Sequence, residues 1–342
     1  MADIYELKGK LKHIRIAKYR FVLRPYDFIK LSSYAGSSLR KDFSLVFKQI
    51  TCTEISCHCK SCKKKKDCPY YISLEVAQGI PDPEYKRYQT PPKPFIFEPP
   101  LKRKSFFSKN EDLYFDLILV GKTLEYFPFF AASLRRLGQI GIGRNQGKYS
   151  MKRIFALDLL RNVVAGEYDF NSSEQAGDRD FSVSLGQLYA KYSRENDAVN
   201  QVNVTLATPL RMKRIGAEKW HLYFRTLMRN ILTRIANLAY AYSGCTDFLH
   251  FPEIIYDAGS VHTIRENFTW EDWRSRAVRE SSSNVRLGGC LGDVSYRGEI
   301  TAFWPILRLG EVLHIGKNTS FGLGRILVEK SDGDFISHKI KL

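Results

Sequence analysis

Leu313-His314-Ile315-Gly316-Lys317-Asn318-Thr319-Ser320-Phe321-Gly322-Leu323-Gly324-Arg325 lies close to the end of the sequence, and what it repeats decides how the chain is divided. Glycines at 316, 322 and 324 remove side chains where a backbone turns tightly or approaches another group, and Lys317, Thr319 and Arg325 supply donors for an anion. No Gly-Lys-Ser/Thr opens a helix here, and a place after a helix and before the last strand is wrong for a dinucleotide fingerprint, so nucleotide cofactors are disfavoured. An earlier stretch has the same order of parts. Gly121, Phe129-Phe130, Leu137-Gly138, Ile140-Gly141 and Gly143 precede one strand, as Gly298, Phe303-Trp304, Leu309-Gly310, Ile315-Gly316, Gly322 and Gly324 precede another. Each half closes as helix, glycine loop, strand.

Working outward, His13–Leu23 alternates as a strand does, and Gly36-Ser37-Ser38 opens a helix with Leu39, Phe43, Val46, Phe47 and Ile50 on its apolar side. Pro91-Pro92-Lys93-Pro94 to Pro99-Pro100 predicts loop or edge structure. Leu113–Val120 is a buried strand. It feeds a helix bearing Tyr126, Phe129, Phe130, Ser133, Leu134 and Leu137, ended by Gly138, and a strand from about Lys148 to Phe155 follows. The order is β-α-β-β-α-β, the ferredoxin-like pattern. The second half begins with strand Val202–Ala207 and a long helix carrying Trp220, Tyr223, Phe224, Leu227, Met228, Ile231, Leu232, Ile235, Leu238 and Tyr242, with Arg225, Arg229 and Arg234 on a solvated face. The expected fold is α+β, with tandem ferredoxin-like (RRM-like) βαββαβ domains. The first spans 1–170 and carries a Cys-rich metal-knuckle insertion at 52–68; the second spans 200–342 and holds the glycine-rich loop. The polar stretch Ser172–Asn200 separates them.

The 342 residues suit two domains, and 44% hydrophobic with 13% aromatic residues gives each half a core. Lys and Arg number 53 against 36 Asp and Glu, a net +17, which favours a polyanionic partner, nucleic acid first. No apolar run approaches the ~18 residues of a spanning helix, and the acidic start Met1-Ala2-Asp3-Ile4-Tyr5-Glu6 lacks a secretory core, so a cytoplasmic protein with no membrane partner is expected. Five of the seven cysteines fall between Cys52 and Cys68. The spacing Cys52-x6-Cys59-x2-Cys62-x5-Cys68, with Cys57 and His58 as spares, predicts a structural zinc site on Cys52, Cys59, Cys62 and Cys68, an iron–sulfur cluster or plain thiols being the alternatives.

Several motifs taken together resemble those of a known family. They are Tyr19-Arg20-Phe21, Gly36-x-x-Leu39-Arg40, Cys68-Pro69-Tyr70, Glu98-Pro99-Pro100, Leu137-Gly138 to Gly147, Thr208-Pro209-Leu210-Arg211, Gly288-Gly289 and the terminal glycine loop, in that order. The chain resembles the CRISPR-associated endoribonucleases that process precursor CRISPR RNA, the sixth Cas family of the RAMP superfamily. The resemblance implies two ferredoxin-like domains, CRISPR repeat RNA held between them, cleavage without a catalytic metal, and a CRISPR effector complex as a further partner. RNA contacts are then expected from Arg144, Lys148, Arg211, Gly316, Lys317, Thr319, Gly322, Gly324 and Arg325.

Cleavage by a 2′-hydroxyl needs a base, an acid at the leaving 5′-oxygen and cations for the crowded negative charge. Many members of the family carry a histidine in or near the first helix; here Ser38-Leu39-Arg40-Lys41-Asp42-Phe43-Ser44-Leu45-Val46-Phe47 has none. Tyr34, Arg40 and Lys41 at the turn into that helix, and His314 in the glycine loop, are the candidate catalytic groups. The missing histidine also keeps open a non-catalytic subunit that holds crRNA. The cysteines and charge admit a zinc-ribbon DNA-binding regulator as a third reading.

Overall fold

The computed structural model describes residues 2–32, 34–54, 57–75, 91–101, 104–168, 180–195, 198–212, 221–245, 251–271 and 287–331. They form two units, one of residues 15–183 with 241–243, the other of residues 1–14, 184–240 and 244–342. The first fourteen residues thus join the second unit, whereas the sequence assigned them to the first. Helix α1 (Ala2–Leu11) buries Leu7 and Leu11, and the Ile14 carbonyl receives the Leu185 amide at 2.8 Å.

In the N-terminal unit, β1 (Arg15–Pro25) leads into a short β2 (Phe28–Lys30) and helix α2 (Ala35–Thr51). Strands β3 (Phe95–Glu98), β4 (Phe106–Ser108) and β5 (Leu113–Val120) follow, then α3 (Phe127–Ile140), β6 (Tyr149–Asp158) and β7 (Val163–Glu167). The main sheet runs β3-β5-β1-β6-β7, and neighbours along this path pair antiparallel. Without the appended β7, the order is that of a ferredoxin-like sheet, with the first and third strands in the middle. The Pro-rich stretch supplies edge strand β3, whose four residues run between Pro94 and Pro99 and are bounded by them. Phe43 and Phe47 of α2 meet Phe130 of α3 with ring centroids 5.1 and 4.7 Å apart, over Phe95, Phe97 and Phe115 from the sheet, all fully buried. Ile50, placed on the apolar side of this helix by the sequence, is 37% exposed. Gly138 does not end α3, which continues to Ile140; a Cβ there would sit 2.4 Å from the Tyr149 carbonyl, so this glycine admits the next strand against the helix.

The short β8 (Val183–Ser184) and α4 (Leu185–Ser193) precede the second ferredoxin-like unit. It comprises β9 (Gln201–Leu210), α5 (Phe224–Tyr242), α6 (Pro252–Asp257), β10 (His262–Glu271), β11 (Gly289–Arg297), α7 (Trp304–Leu313) and β12 (Ile326–Lys330), with sheet order β10-β11-β9-β12. Trp220 lies outside the described residues. Val202, Val204, Leu206, Val294 and Ile326 pack under Leu227, Ile231 and Ile235 of α5 and Ile306 and Leu309 of α7. Arg234 is not solvated as expected: it is 5% exposed and its Nε donates to the Leu313 carbonyl at 2.6 Å, satisfying the end of α7. Among the described residues no helix is long and apolar enough to cross a membrane.

Candidate nucleic-acid interface

Helix α7 ends at His314, whose φ of 53° and ψ of 162° are unusual for a residue with a side chain. The chain then doubles back onto the end of β9. Ile315 donates to the Gly324 carbonyl at 2.9 Å, Lys317 to the Arg211 carbonyl at 2.9 Å, and Gly324 to the Pro209 carbonyl at 3.1 Å. The Arg325 amide donates to the Thr208 hydroxyl at 2.8 Å, and that hydroxyl donates to the Gly322 carbonyl. Gly316, at φ 77°, lies where a Cβ would stand 2.5 Å from the Arg211 carbonyl. These glycines let two backbones touch. The amides of 315, 317, 324 and 325 are spent on the protein, so at these positions the loop offers an anion side chains and not backbone donors. Thr319 is 4% exposed and offers RNA no open hydroxyl. What faces solvent is Lys317, with Arg211 and Arg325 half-buried.

The N-terminal unit builds the same corner. Helix α3 ends at Gly141, with φ 103° and ψ 159°, matching His314. Ile142 pairs with Gly147, Arg144 donates to the Lys30 carbonyl at 2.8 Å, and Gly143, at φ 79°, would place a Cβ 2.5 Å from that carbonyl. Tyr26 donates to the Lys148 carbonyl at 3.0 Å, as Ala207 does to that of Arg325 at 2.9 Å. The echo in sequence is therefore real but slips by two residues: Ile142-Gly143-Arg144, not Ile140-Gly141, matches Ile315-Gly316-Lys317. Matched by hydrogen bonding, Lys30, Arg144 and Lys148 of one unit correspond to Arg211, Lys317 and Arg325 of the other. Lys30, Arg144 and Lys148 are all exposed and, among the described residues, form no ion pair. The correspondence of Lys30 and Arg211 is hidden in the sequence because no motif aligns them; each lies where the first strand of its unit passes under the loop.

The candidate catalytic groups differ in how far they reach solvent. His314 is wholly buried and its Nδ1 lies 3.1 Å from the Leu323 carbonyl, a structural position. Tyr34 is 6% exposed, and Arg40 stacks its guanidinium 5.1 Å from the Phe95 centroid, burial pulling its pKa down to about 10. Lys41 is exposed. The turn they share is pinned by Ser32, whose hydroxyl donates to the Tyr34 carbonyl at 2.6 Å and lies within 3 Å of the Ser37 and Ser38 hydroxyls. Asp42, one residue further on, accepts the Gly143 amide and so ties α2 to the glycine loop; burial raises its pKa.

Cys52, Cys59, Cys62 and Cys68 are half-buried free thiols. Burial pushes the Cys59 thiol up, and Cys52 and Cys68 are near enough to add to the shift. Among the described residues no three His, Cys, Asp or Glu side chains converge to hold a metal ion.

Residues 204–326 match the family described as CRISPR-associated endoribonuclease Cas6, and residues 14–175 match a family described as an N-terminal domain. No curated protein matches by sequence. Among solved structures, a Cas6 product complex is similar at 13% identity with a TM-score of 0.52, over 92% of this chain and 100% of that one. A partial Cas6-RT-Cas1–Cas2 complex is similar at 12% identity with a TM-score of 0.54, over 94% of this chain, which spans 47% of that longer one. Likeness at such identities speaks for the fold alone, tandem ferredoxin-like domains.

Proposed function

We propose that this chain, whose residues 204–326 match the Cas6 endoribonuclease family, is a protein of the Cas6 type that binds CRISPR repeat RNA and cuts precursor crRNA without a metal ion. The observation that carries the reading is the basic corner Arg211–Lys317–Arg325, which lies within or at the edge of the residues matched by the Cas6 family. Three cations on one rigid seat attract a phosphate backbone without reading bases. In the cleavage step the 2′-oxygen bonds to phosphorus as the bond to the 5′-oxygen breaks. The 2′-proton passes to a base, a proton reaches the 5′-oxygen, and the products are a 2′,3′-cyclic phosphate and a 5′-hydroxyl. Lys41 is the accessible cation for the crowded phosphate, backed by Arg40 and Tyr34. His314 is left out of this set. Incubating the protein with the repeat RNA of its own locus in EDTA is expected to give a cyclic phosphate end, and Lys41→Ala to slow the cut at least tenfold with binding retained.

A second reading, a subunit that holds crRNA without cutting it, is favoured by the histidine-free first helix and the burial of Tyr34. Repeat RNA that is bound but left intact would select it. A CRISPR effector complex is the natural recipient of RNA held this way. The spacing of Cys52, Cys59, Cys62 and Cys68 suits four thiolates on structural zinc, which we propose as well. Elemental analysis is expected to find zinc that a chelator removes with loss of thermal stability, and metal-free protein of unchanged stability ends that part.

A further inference from the structure

Beside its basic corner the first unit has a feature with no counterpart among the described residues of the second. Strands β2 and β4 pair as a two-stranded ribbon in the register Phe28↔Ser108, Ile29↔Phe107, Lys30↔Phe106. Ile29 and Phe107 turn inward at 0% and 7% exposure, which leaves Phe28, Lys30 and Phe106 on the solvent side. The two outer rings stack on each other at 5.6 Å with an interplanar angle of 24°, although Phe28 is 37% and Phe106 51% exposed. Tyr26, just before the ribbon, is 65% exposed. Large rings held in water on a strand pair lose hydrophobic free energy unless something covers them.

The ribbon is held rigidly. The Asn145 side chain of the glycine loop accepts the Lys30 amide at 2.8 Å and donates to the Phe28 carbonyl at 2.9 Å. Gly147 allows the loop to come down on Phe28, where a Cβ would stand 2.4 Å from its carbonyl. The rings are thus presented on a fixed backbone, with Lys30 among them and Arg144 and Lys148 on the loop clamped beside them. Asp27 is the acidic neighbour within the turn. Cations set among open aromatic faces suit a chain that carries a phosphate and a flat base at every unit. An apolar protein partner would leave those charges buried and unpaired.

We infer that the Phe28–Phe106 ribbon is a base-stacking platform for single-stranded RNA, with Lys30, Arg144 and Lys148 receiving the flanking phosphates. The inference rests on the RNA-binding reading and adds a surface to it. Stacking on an aromatic ring is sequence-tolerant, so this platform serves unpaired nucleotides next to whatever element is recognised elsewhere.

The test uses the full chain and an unstructured oligoribonucleotide carrying 2-aminopurine. The parent protein is expected to bind it and quench its fluorescence. In the Phe28→Leu/Phe106→Leu variant the quench should disappear and affinity fall about tenfold per ring, with the slope of log K against log salt unchanged because every cation facing the phosphates remains in place. Phe106→Tyr, which keeps a ring, should restore most of the binding. Unchanged quench and affinity in the double leucine variant, at a parental melting temperature, would overturn the inference. So would a changed oligomeric state with RNA affinity intact, the outcome of a protein-docking face. A chain that stacks RNA but never cuts it supports the platform and ends the cleavage reading. One that binds and cuts its repeat as the parent does with both rings gone ends the platform alone.

Discussion

The two glycine corners share one backbone and differ in what they display. Each has an Ile-Gly-basic tripeptide docked on the continuation of its unit's first strand, and each closes against a glycine that opens the last strand. Three residues separate Gly143 from Gly147 and seven separate Gly316 from Gly324, so the second loop carries an added turn through Thr319–Phe321. Where the first strand passes beneath, one unit shows Tyr26, Phe28 and Lys30 and the other Ala207, Pro209 and Arg211. The lesson is that the hydrogen-bonded frame, together with its basic positions, defines the repeated element, while the aromatic positions mark where the units have parted in what they offer a ligand.

The largest expected effect tests the frame itself. A Cβ on Gly324 would fall 1.7 Å from the Ile315 carbonyl, and its φ of 69° already disfavours a side chain. Gly147 has the same role at an ordinary φ, with 2.4 Å to the Phe28 carbonyl. Gly324→Ala should cost about 3 kcal/mol or more in urea unfolding, and Gly147→Ala less, because only the clash and not the dihedral is at issue. Equal losses would mean that dihedral strain contributes nothing to the difference between the corners.

A second difference lies one turn before the corners. Arg136 donates to Gln139 in α3, whereas in the last turns of α7 Arg308 pairs with Glu311 at 2.7 Å. Glu311 also accepts the Val328 amide, yet burial pushes its carboxyl up from 4.5 to about 7. Between those values the folded chain keeps a proton that the unfolded chain has released, so stability is highest below the window and falls as pH rises through it. Glu311→Gln keeps the shape of the side chain and removes the titrating carboxyl. It should flatten that fall, by roughly 2 kcal/mol between pH 4.5 and 7, and thermal unfolding followed across this range would detect it. A parallel curve for the variant would assign the slope to another group.

Much of this was legible in sequence because it rests on periodicity. The strand and helix order, the edge role of the Pro-rich stretch and the duplicated glycine loops all follow from patterns of apolar residues and glycines. The register of the echo was not legible, since His314 occupies a left-handed position that elsewhere is Gly141, and a histidine there looks like chemistry when it is a helix cap. Nor could periodicity show that Tyr34 and Arg40 turn inward, that Arg234 caps α7, or that Phe28 and Phe106 meet across a ribbon whose strands are separated by 75 residues of sequence between Lys30 and Phe106. Spacing named the four cysteines, but sulfur convergence depends on three-dimensional closure that spacing does not fix.

The smallest expected effect bears most directly on whether both corners meet the same ligand. If each receives RNA phosphates, Lys317→Glu and Arg144→Glu should each weaken binding of repeat RNA about tenfold, with little dependence on sequence, because a phosphate contact carries no base information. The slope of log K against log salt should shrink by about 0.7 for each phosphate that a variant no longer neutralises on a single strand. The two changes lie on separate units with no shared partner, so their effects should add in the double variant. A slope that falls for Lys317→Glu and stays fixed for Arg144→Glu would confine the phosphate path to the C-terminal corner, leaving the first as a copy kept for folding. Equal and additive losses would instead make the duplicated frame a duplicated grip, in which the exposed rings of the first unit add stacking to a phosphate grip that both units share.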